Sequence, residues 1–538
     1  MTECRKLSLA GRALLALGLP LFFAAGCNGK SGSGAAVKGS TGPIVWARGA
    51  DSSGLDPAAE TDGESLNVAA NIFDGLVRFK VGTTEVEPAL AKSWEISADG
   101  KTYTFHLRDG VKFHDGTPVN ADAVVFSLER QRDVNHPAHA LATQYGYWGS
   151  MDMNNIVAKV DKTDDATVVI HLQHAEAPLL ADLAMQFAEI VSPTAVMKWG
   201  REFGRHPVGS GPYKFAEWQP GQRIVLQANE EYWDGAPKLK TVIWTVIKEA
   251  SQRTQSFLAG QIDGFEGINA VEVEQLKAAP GATVLTQPGM NVCYLAINMD
   301  KKPFDNLKVR QAIAYAIDRD KIVANFYQGM GQSAASMIPP SMWGFNEALK
   351  PYPHDPAKAK ALLAEAGFPN GFDTEFWYMT APRPYIFAPS EVAAQIRQDF
   401  EAVGIRAKMV TFDWTTYLQK TQKGEHTMNL IGWSGDNGDP DNFLNTLLST
   451  AAADSKPAQN YSFFRDPETD GYLAAAKTNP DLAARTALYK KAQQRIYDMV
   501  PTVPLAHSLQ VVVVNSRLAQ LKLSPDTRKR WELMPAAN

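Results

Sequence analysis

The densest group of reactive side chains is the run Gly432-Trp433-Ser434-Gly435-Asp436-Asn437-Gly438-Asp439-Pro440-Asp441-Asn442. Three carboxylates set among Gly, Asn and Pro admit three kinds of chemistry. A calcium loop of the EF-hand type needs Glu at the twelfth position, and counting from Asp436 that place holds Leu447. A surface turn uses these residue types routinely. A binding loop would make Trp433 an apolar wall and Asp436 a carboxylate for a cation. Trp433 follows the apolar run Met428–Ile431 and directly precedes the loop, which favours binding over a plain turn.

A complementary group stands in Ala381-Pro382-Arg383-Pro384-Tyr385. Flanking prolines stiffen the backbone, and a guanidinium captures a carboxylate through two parallel hydrogen bonds. Asp436 for a cation and Arg383 for an anion would together suit a zwitterion, although spacing alone does not bring them face to face.

Catalytic signatures are missing. The chain contains no HExxH, no GxSxG and no GxxxxGK[ST]. Gly100-Lys101-Thr102 has Glu95 where a phosphate loop requires Gly. His136 and His139 lie three apart with nothing nearby to complete a metal set. Cys293, inside the apolar run NVCYLAIN, reads as a small buried hydrophobe. The expectation is a protein without catalytic residues, metal or cofactor.

The elements that must position these groups read as α/β. Strand signals fall at 44–50, 103–107, 167–172, 223–226, 241–247 and 292–297, with Asp99-Gly100 and Asp109-Gly110 as turns. Helical periodicity dominates from Asn306 to Phe400. Val309, Ala312, Ile313, Ala316 and Ile317 form one apolar stripe. Asp355-Pro356 opens a helix that Gly367 stops; Ser390 is the expected cap of the next, which closes at Gly404 before a strand over 407–412. Asn479-Pro480 is expected to open a last helix running to Met499. No low-complexity linker divides the body, so two lobes would be joined by short passages, at Gln287-Pro288-Gly289 and along Leu505–Val511.

Composition agrees with an ordinary folded protein. The 538 residues carry 53 basic and 58 acidic side chains, a net charge of −5, with 21% charged and 45% apolar residues. A basic excess, the usual mark of a nucleic-acid partner, is lacking. Arg5, Lys6 and Arg12 precede an uncharged run from Ala13 to Ala25, too short for a bilayer span of ~20 residues but suited to an export signal over 1–26. Gly and Ser then dominate Asn28–Gly42, a flexible tether. Cys4, Cys27 and Cys293 are too few for a disulfide framework.

Several motifs in order resemble extracellular solute-binding protein family 5, the binding components of bacterial ABC importers. They are Glu87–Trp94 (EPALAKSW), Asp99–Phe105 (DGKTYTF), Leu107–Gly116 (LRDGVKFHDG), Pro207–Tyr213 (PVGSGPY), Val309-Arg310-Gln311-Ala312 and Ile338-Pro339-Pro340. Ala24-Ala25-Gly26-Cys27 likewise resembles a lipoprotein cleavage site, with Ala24 where Leu is usual. The resemblance implies a two-lobed periplasmic-binding-protein fold with mixed sheets and an extra subdomain in the first lobe. Its expected organisation is a signal at 1–26, a lipidated tether at 27–43, lobe I at 44–288, lobe II at 289–508 and a return to lobe I at 509–538.

GWSGDNGDPDNF (432–443) and RPY (383–385) resemble the dipeptide-binding members in particular. That likeness implies that Asp436 holds a peptide's α-ammonium and Arg383 its α-carboxylate. Met290 and Asn291 would line the cleft on a strand, Trp433, Ser434 and Gly435 would lie beside the peptide with Trp414 near, and Ser53 and Gly54 would reach it from the first lobe. The implied partners are a dipeptide, the transmembrane permease subunits of an ABC importer, and the membrane through acylated Cys27, for a monomer in the periplasm. The alternatives are a haem or longer-peptide receptor of the same family, and a secreted peptide hydrolase using Asp436 and Asp439.

Overall fold

A computed structural model describes residues 42–534. The export signal expected at 1–26, Cys27 and nearly all of the tether lie outside these residues. No helix among the described residues is long and apolar enough to cross a membrane.

One mixed sheet runs through the body. In the first lobe its strands are β1 (Ile44–Arg48), β2 (Tyr213–Gln219), β3 (Arg223–Ala228), β4 (Thr241–Val246), β5 (Gly264–Glu266) and β6 (Ala282–Pro288). In the second they are β7 (Asn291–Ile297), β8 (Phe372–Tyr378), β9 (Ile405–Val410) and β10 (Met428–Ser434). The last strand, β11 (Thr502–Asn515), belongs to both. The order is β9-β8-β10-β7-β11-β5-β1-β4-β3-β2, with β6 and the short strand Gly331–Ser333 also on β11. β1 runs parallel to β4 and β5, β8 runs parallel to β9 and β10, and the other pairings are antiparallel. A separate four-stranded antiparallel sheet, built from Ala91–Ile96, Thr102–Leu107, Val157–Asp164 and Thr167–Leu172, forms the extra subdomain.

Residue pattern explains which strand lies where. Every residue of β7 is buried, as its unbroken apolar run requires of a strand covered on both faces. Thr102–Leu107 and Thr167–Leu172 instead alternate between buried and half-buried, the mark of a sheet with one face on the core. Val309, Ala312, Ile313 and Ala316 are fully buried on the helix Leu307–Ala316, which ends one residue before Ile317. In the first lobe Trp531 packs edge-on against Trp46 at 5.3 Å and Trp244 at 6.0 Å, which fastens the chain's return segment to β1 and β4.

Local details correct several expected boundaries. Asp355 caps Pro356–Glu365, accepting from the Lys358 N–H at 2.9 Å, as expected. Ser390, in contrast, sits inside the first turn of Pro389–Val403; Pro389 takes the first helical place, where a missing N–H costs nothing, and Ala388 precedes it. Gly404, at φ +94°, turns the chain so sharply that β9 begins at Ile405 instead of 407. Asn479 closes an unforeseen helix, Pro467–Thr478, and the final helix Leu482–Met499 starts from Asp481, whose carboxylate accepts from the Ala484 N–H at 2.7 Å.

The crossing of β11 has one exposed weakness. Cys293 to Ala296 pair with Ala506 back to Thr502, and Ala282 to Pro288 pair with Asn515 back to Leu509. Between those ladders Gly331–Ser333 pairs with one edge of Ala506–Ser508, and the Asn291 side chain fills in on the other. Its Oδ1 accepts from the Ser508 N–H at 2.9 Å and its Nδ2 donates to the Ser508 carbonyl at 3.4 Å. Removing the amide leaves a buried N–H without a partner, a cost of ~1–3 kcal/mol. Asn291→Ala is therefore expected to lower urea-unfolding stability by about that amount; an unchanged midpoint would assign the crossing to some other support.

Candidate functional site

β10 ends at the boundary between the lobes and delivers Trp433 and Ser434 there. The chain then turns through Asp436–Pro440 into the helix Asp441–Leu448. Asn442, buried at that helix's start, organises the turn. Its Oδ1 accepts from the Asp436 N–H and from Trp433 Nε1, both at 3.0 Å, while its Nδ2 donates to Asp436 Oδ2 at 3.1 Å. Asn437 Oδ1 accepts from the Asp439 N–H at 3.0 Å, and Asp439 Oδ1 from the Asp441 N–H at 2.9 Å. Arg485 holds Asp439 from behind at 2.9 Å. The glycines are required here: a Cβ on Gly435 would meet the Phe443 ring at 2.4 Å, and Gly438 adopts φ +70°.

This loop borders a cavity of about 400 Å³. Asp436, Ser434, Gly435, Met290 and Asn291 line it from the second lobe. Thr61, Asn67, Phe79 and Tyr147 line it from the first, and Pro525, Asp526 and Thr527 close it from the return segment. No Lys, Arg or His is among the lining residues. Burial pushes the Asp436 carboxyl up to about 6, with the Asn442 amide partly opposing that rise. A half-buried carboxylate facing a cavity without a cation is chemically suited to a positively charged group.

Arg383 is fixed beside the cavity. Its guanidinium lies over the Trp414 ring, 3.9 Å from the centroid. Its Nε is buried with no hydrogen-bond partner, and no carboxylate pairs with Arg383 among the described residues. The surrounding loop is pinned on three sides. Ser508 Oγ donates to the Pro384 carbonyl at 2.6 Å, Tyr327 Oη to the Tyr385 carbonyl at 2.7 Å, and Arg383 and Ile386 exchange backbone bonds at 2.9 Å. Pro384 itself lines the cavity.

The structure thus brings five of the expected residues into one wall and sets Arg383 on Trp414 at its side. Trp433 supports the wall through Asn442 and is not part of it. Ser53 and Gly54 do not reach it: they line a separate first-lobe cavity of about 540 Å³, where Ser53 Oγ donates to Asp62 at 2.5 Å. Thr61 borders both cavities. Sequence reasoning missed Asn442, whose place directly after Asp-Pro-Asp at a helix start was its signal. It also missed Tyr147 and Asp526, which no local pattern marks. Cys293 is fully buried, and burial pushes its thiol up to about 12. No group of three or more His, Cys, Asp or Glu among the described residues is arranged to hold a metal.

Two lobes sharing a strand and enclosing a cavity edged by an unneutralised carboxylate define a two-lobed solute-binding protein. Residues 85–455 match the family described as bacterial extracellular solute-binding proteins, family 5 Middle. The dipeptide-binding protein of Escherichia coli (strain K12) is 39% identical over 91% of this chain and 94% of its own length. Heme-binding protein A of Haemophilus influenzae is 40% identical over 88% of each chain. Among solved structures, HbpA2 from Haemophilus parasuis superposes with a TM-score of 0.87 at 36% identity, over 91% of this chain and 98% of that one. DppA from Helicobacter pylori in complex with the peptide STSA gives 0.72 at 40% identity, over 91% and 96%. The chain belongs to the family 5 extracellular solute-binding proteins.

An acid whose carboxyl is raised by burial destabilises the empty protein once it ionises, so that penalty is absent at low pH and present above about 6. Asp436→Asn is expected to raise the melting temperature of the ligand-free protein at pH 7.5 and to match wild type near pH 4.5. Equal melting at both pH values would contradict the strained carboxylate.

Proposed function

We propose that the protein captures dipeptides between its lobes and delivers them to the transmembrane subunits of an ABC importer. The observation carrying this reading is the Asp436 carboxylate on a cavity wall that has no lysine, arginine or histidine. Arg383, seated on Trp414 without a carboxylate partner, supplies the opposite charge. Relatives named as dipeptide- and di/tripeptide-binding proteins support the same ligand class. Asp436 takes the α-ammonium and Arg383 the α-carboxylate, so the separation of the two charges measures peptide length. Lobe closure excludes water, and both end-charge interactions gain strength at lower effective dielectric.

In this reading lobe I spans 44–288, lobe II 289–508, and residues 509–538 return to lobe I. Residues 1–26 direct export, and acylation of Cys27 tethers a monomer to the periplasmic face of the membrane through residues 28–43. The role is binding without chemistry.

Calorimetry on the purified protein tests the ligand. Unmodified dipeptides are expected to bind, N-acetylated ones to fail, and Asp436→Ala to weaken binding by ~2–5 kcal/mol, as for one partner of a buried charge pair. Unchanged affinity in that variant would remove Asp436 from the site. A relative named for haem binding favours a second reading; a haem titration followed by absorbance, saturating where dipeptides do not bind, would replace the first. Radiolabelled palmitate is expected to mark the cell-bound protein and not its Cys27→Ser variant, and equal labelling of both would refute the anchor.

A further inference from the structure

The loop that carries Asp436 also grips the opposite lobe. Asn437, next in the chain, is buried and donates through Nδ2 to Asp182 Oδ1 at 2.6 Å. Asp182 lies on the first-lobe helix Leu179–Leu183. A few residues earlier, Glu176 Oε1 lies 3.3 Å from Lys477 Nζ, at the end of the second-lobe helix Pro467–Thr478. The Ala177 N–H donates to the Lys477 carbonyl at 2.7 Å. Gly438 approaches Thr84 so closely that a Cβ there would lie 2.7 Å from the threonine Cβ. The contact therefore joins the lobes through the very loop that faces the cavity.

We infer that this seam is a proton-dependent latch on the closed state, with Asn437 as a positioning residue that ties retention of the ligand to the grip on Asp182. The inference rests on the proposal that a ligand is held between the lobes.

Charge at the seam is one-sided. From the first lobe, Glu176 and Asp182 face it, with His174 3.5 Å from Glu176 Oε2 and the Tyr103 hydroxyl donating to the Glu176 carbonyl at 3.0 Å. From the second lobe come Asp439 and Asp441 at the head of the helix Asp441–Leu448, Lys477, and Arg485 with Tyr489 on the last helix. Asp152 borders the adjoining cavity. Arg485 is paired with Asp439 and also faces Asp441, so Lys477 is the cation shared by Glu176, Asp182 and Asp441.

Closure buries these acids, and opening returns them to water. Burial, reinforced by Asp439 and Asp441 and opposed by Lys477, pushes Glu176 up to about 7. Burial likewise raises Asp182, with Asn437 opposing and the neighbouring carboxylates adding. Groups raised in the closed state take up protons on closing. Their contribution is complete below the ordinary carboxylate range and is lost as pH rises to about 7 for Glu176. Asp436 acts in the opposite sense, because an ammonium needs it ionised, a condition gained as pH rises through about 6. Ligand release should therefore quicken toward pH 8 through the seam, not through Asp436.

Stopped-flow tryptophan fluorescence on the whole protein, with alanyl-alanine as probe, separates these terms. Asn437→Ala is expected to release the dipeptide about tenfold faster, the worth of one buried hydrogen bond, with association little changed. The double variant Glu176→Gln, Asp182→Asn keeps the acceptor for Asn437 but cannot titrate. It is expected to match wild-type release at pH 5.5 and to lose the acceleration toward pH 8. A wild-type release rate in Asn437→Ala, or a wild-type pH profile in the double variant, would overturn the latch. Small-angle scattering of the ligand-free protein supplies a reading that needs no ligand. Wild type should expand between pH 5.5 and 8 and the double variant should not; expansion of both alike would also overturn the latch. If no dipeptide binds, the proposed function fails and scattering still decides the seam.

Discussion

Everything in this architecture depends on one strand that serves two lobes. β11 leaves β7 after Ala506 and joins β6 at Leu509, and between those ladders it is paired on one edge only, with Gly331–Ser333. Asn291 closes that gap with a side-chain amide, which offers the donor and acceptor of a peptide group in one rigid plane. The same short segment of β11 also fixes the arginine loop, through Ser508 Oγ on the Pro384 carbonyl. The crossing between lobes and one edge of the site are therefore held by the same few atoms. A backbone connection that must allow the lobes to move can still present Arg383 from a defined place.

The cavity wall shows why stability and binding are set against each other here. Asn442 satisfies the backbone of Asp436 and one of its oxygens but brings no positive charge. A lysine in its place would neutralise the carboxylate, which on the proposed function must stay free for the ligand's ammonium. Neutral amides recur at each such point, with Asn291 at the crossing, Asn442 behind Asp436 and Asn437 across the seam. They supply orientation without spending the charge that recognition needs.

How much of this could be read beforehand depended on distance along the chain. Asp436, Ser434 and Gly435 were legible because a tryptophan, three glycines and three carboxylates lie within one run. β7 was legible because it is apolar from Val292 to Ile297. Arg383 was legible as a stiffened guanidinium, but not its stacking on Trp414, which lies on another element. Ser53 and Gly54 failed for the opposite reason. Their turn has the right residue types, yet Asp62 and Ser65 draw it toward a different cavity. Ser390 failed because a proline beside a potential cap decides where the helix begins. Tyr147 and the segment Pro525–Thr527 carry no local mark, and only the meeting of three distant parts of the chain makes them a wall.

That dependence on distant parts follows from the fold itself. β11 passes from one lobe to the other, so on the proposed closure any group near the seam must serve both the open and the closed state. Apolar side chains there would favour closure at every pH and in the absence of ligand. Carboxylates served by Lys477 and Arg485 do not, because on the proposed closure each one would regain water when the lobes part and lose it when they meet. On the proposed latch, ionisation of these acids loosens closure of the empty protein as pH rises. A ligand ammonium at Asp436, on the proposed function, would then supply the margin that decides between the two states, since a ligand shifts such an equilibrium only by its differential affinity for them.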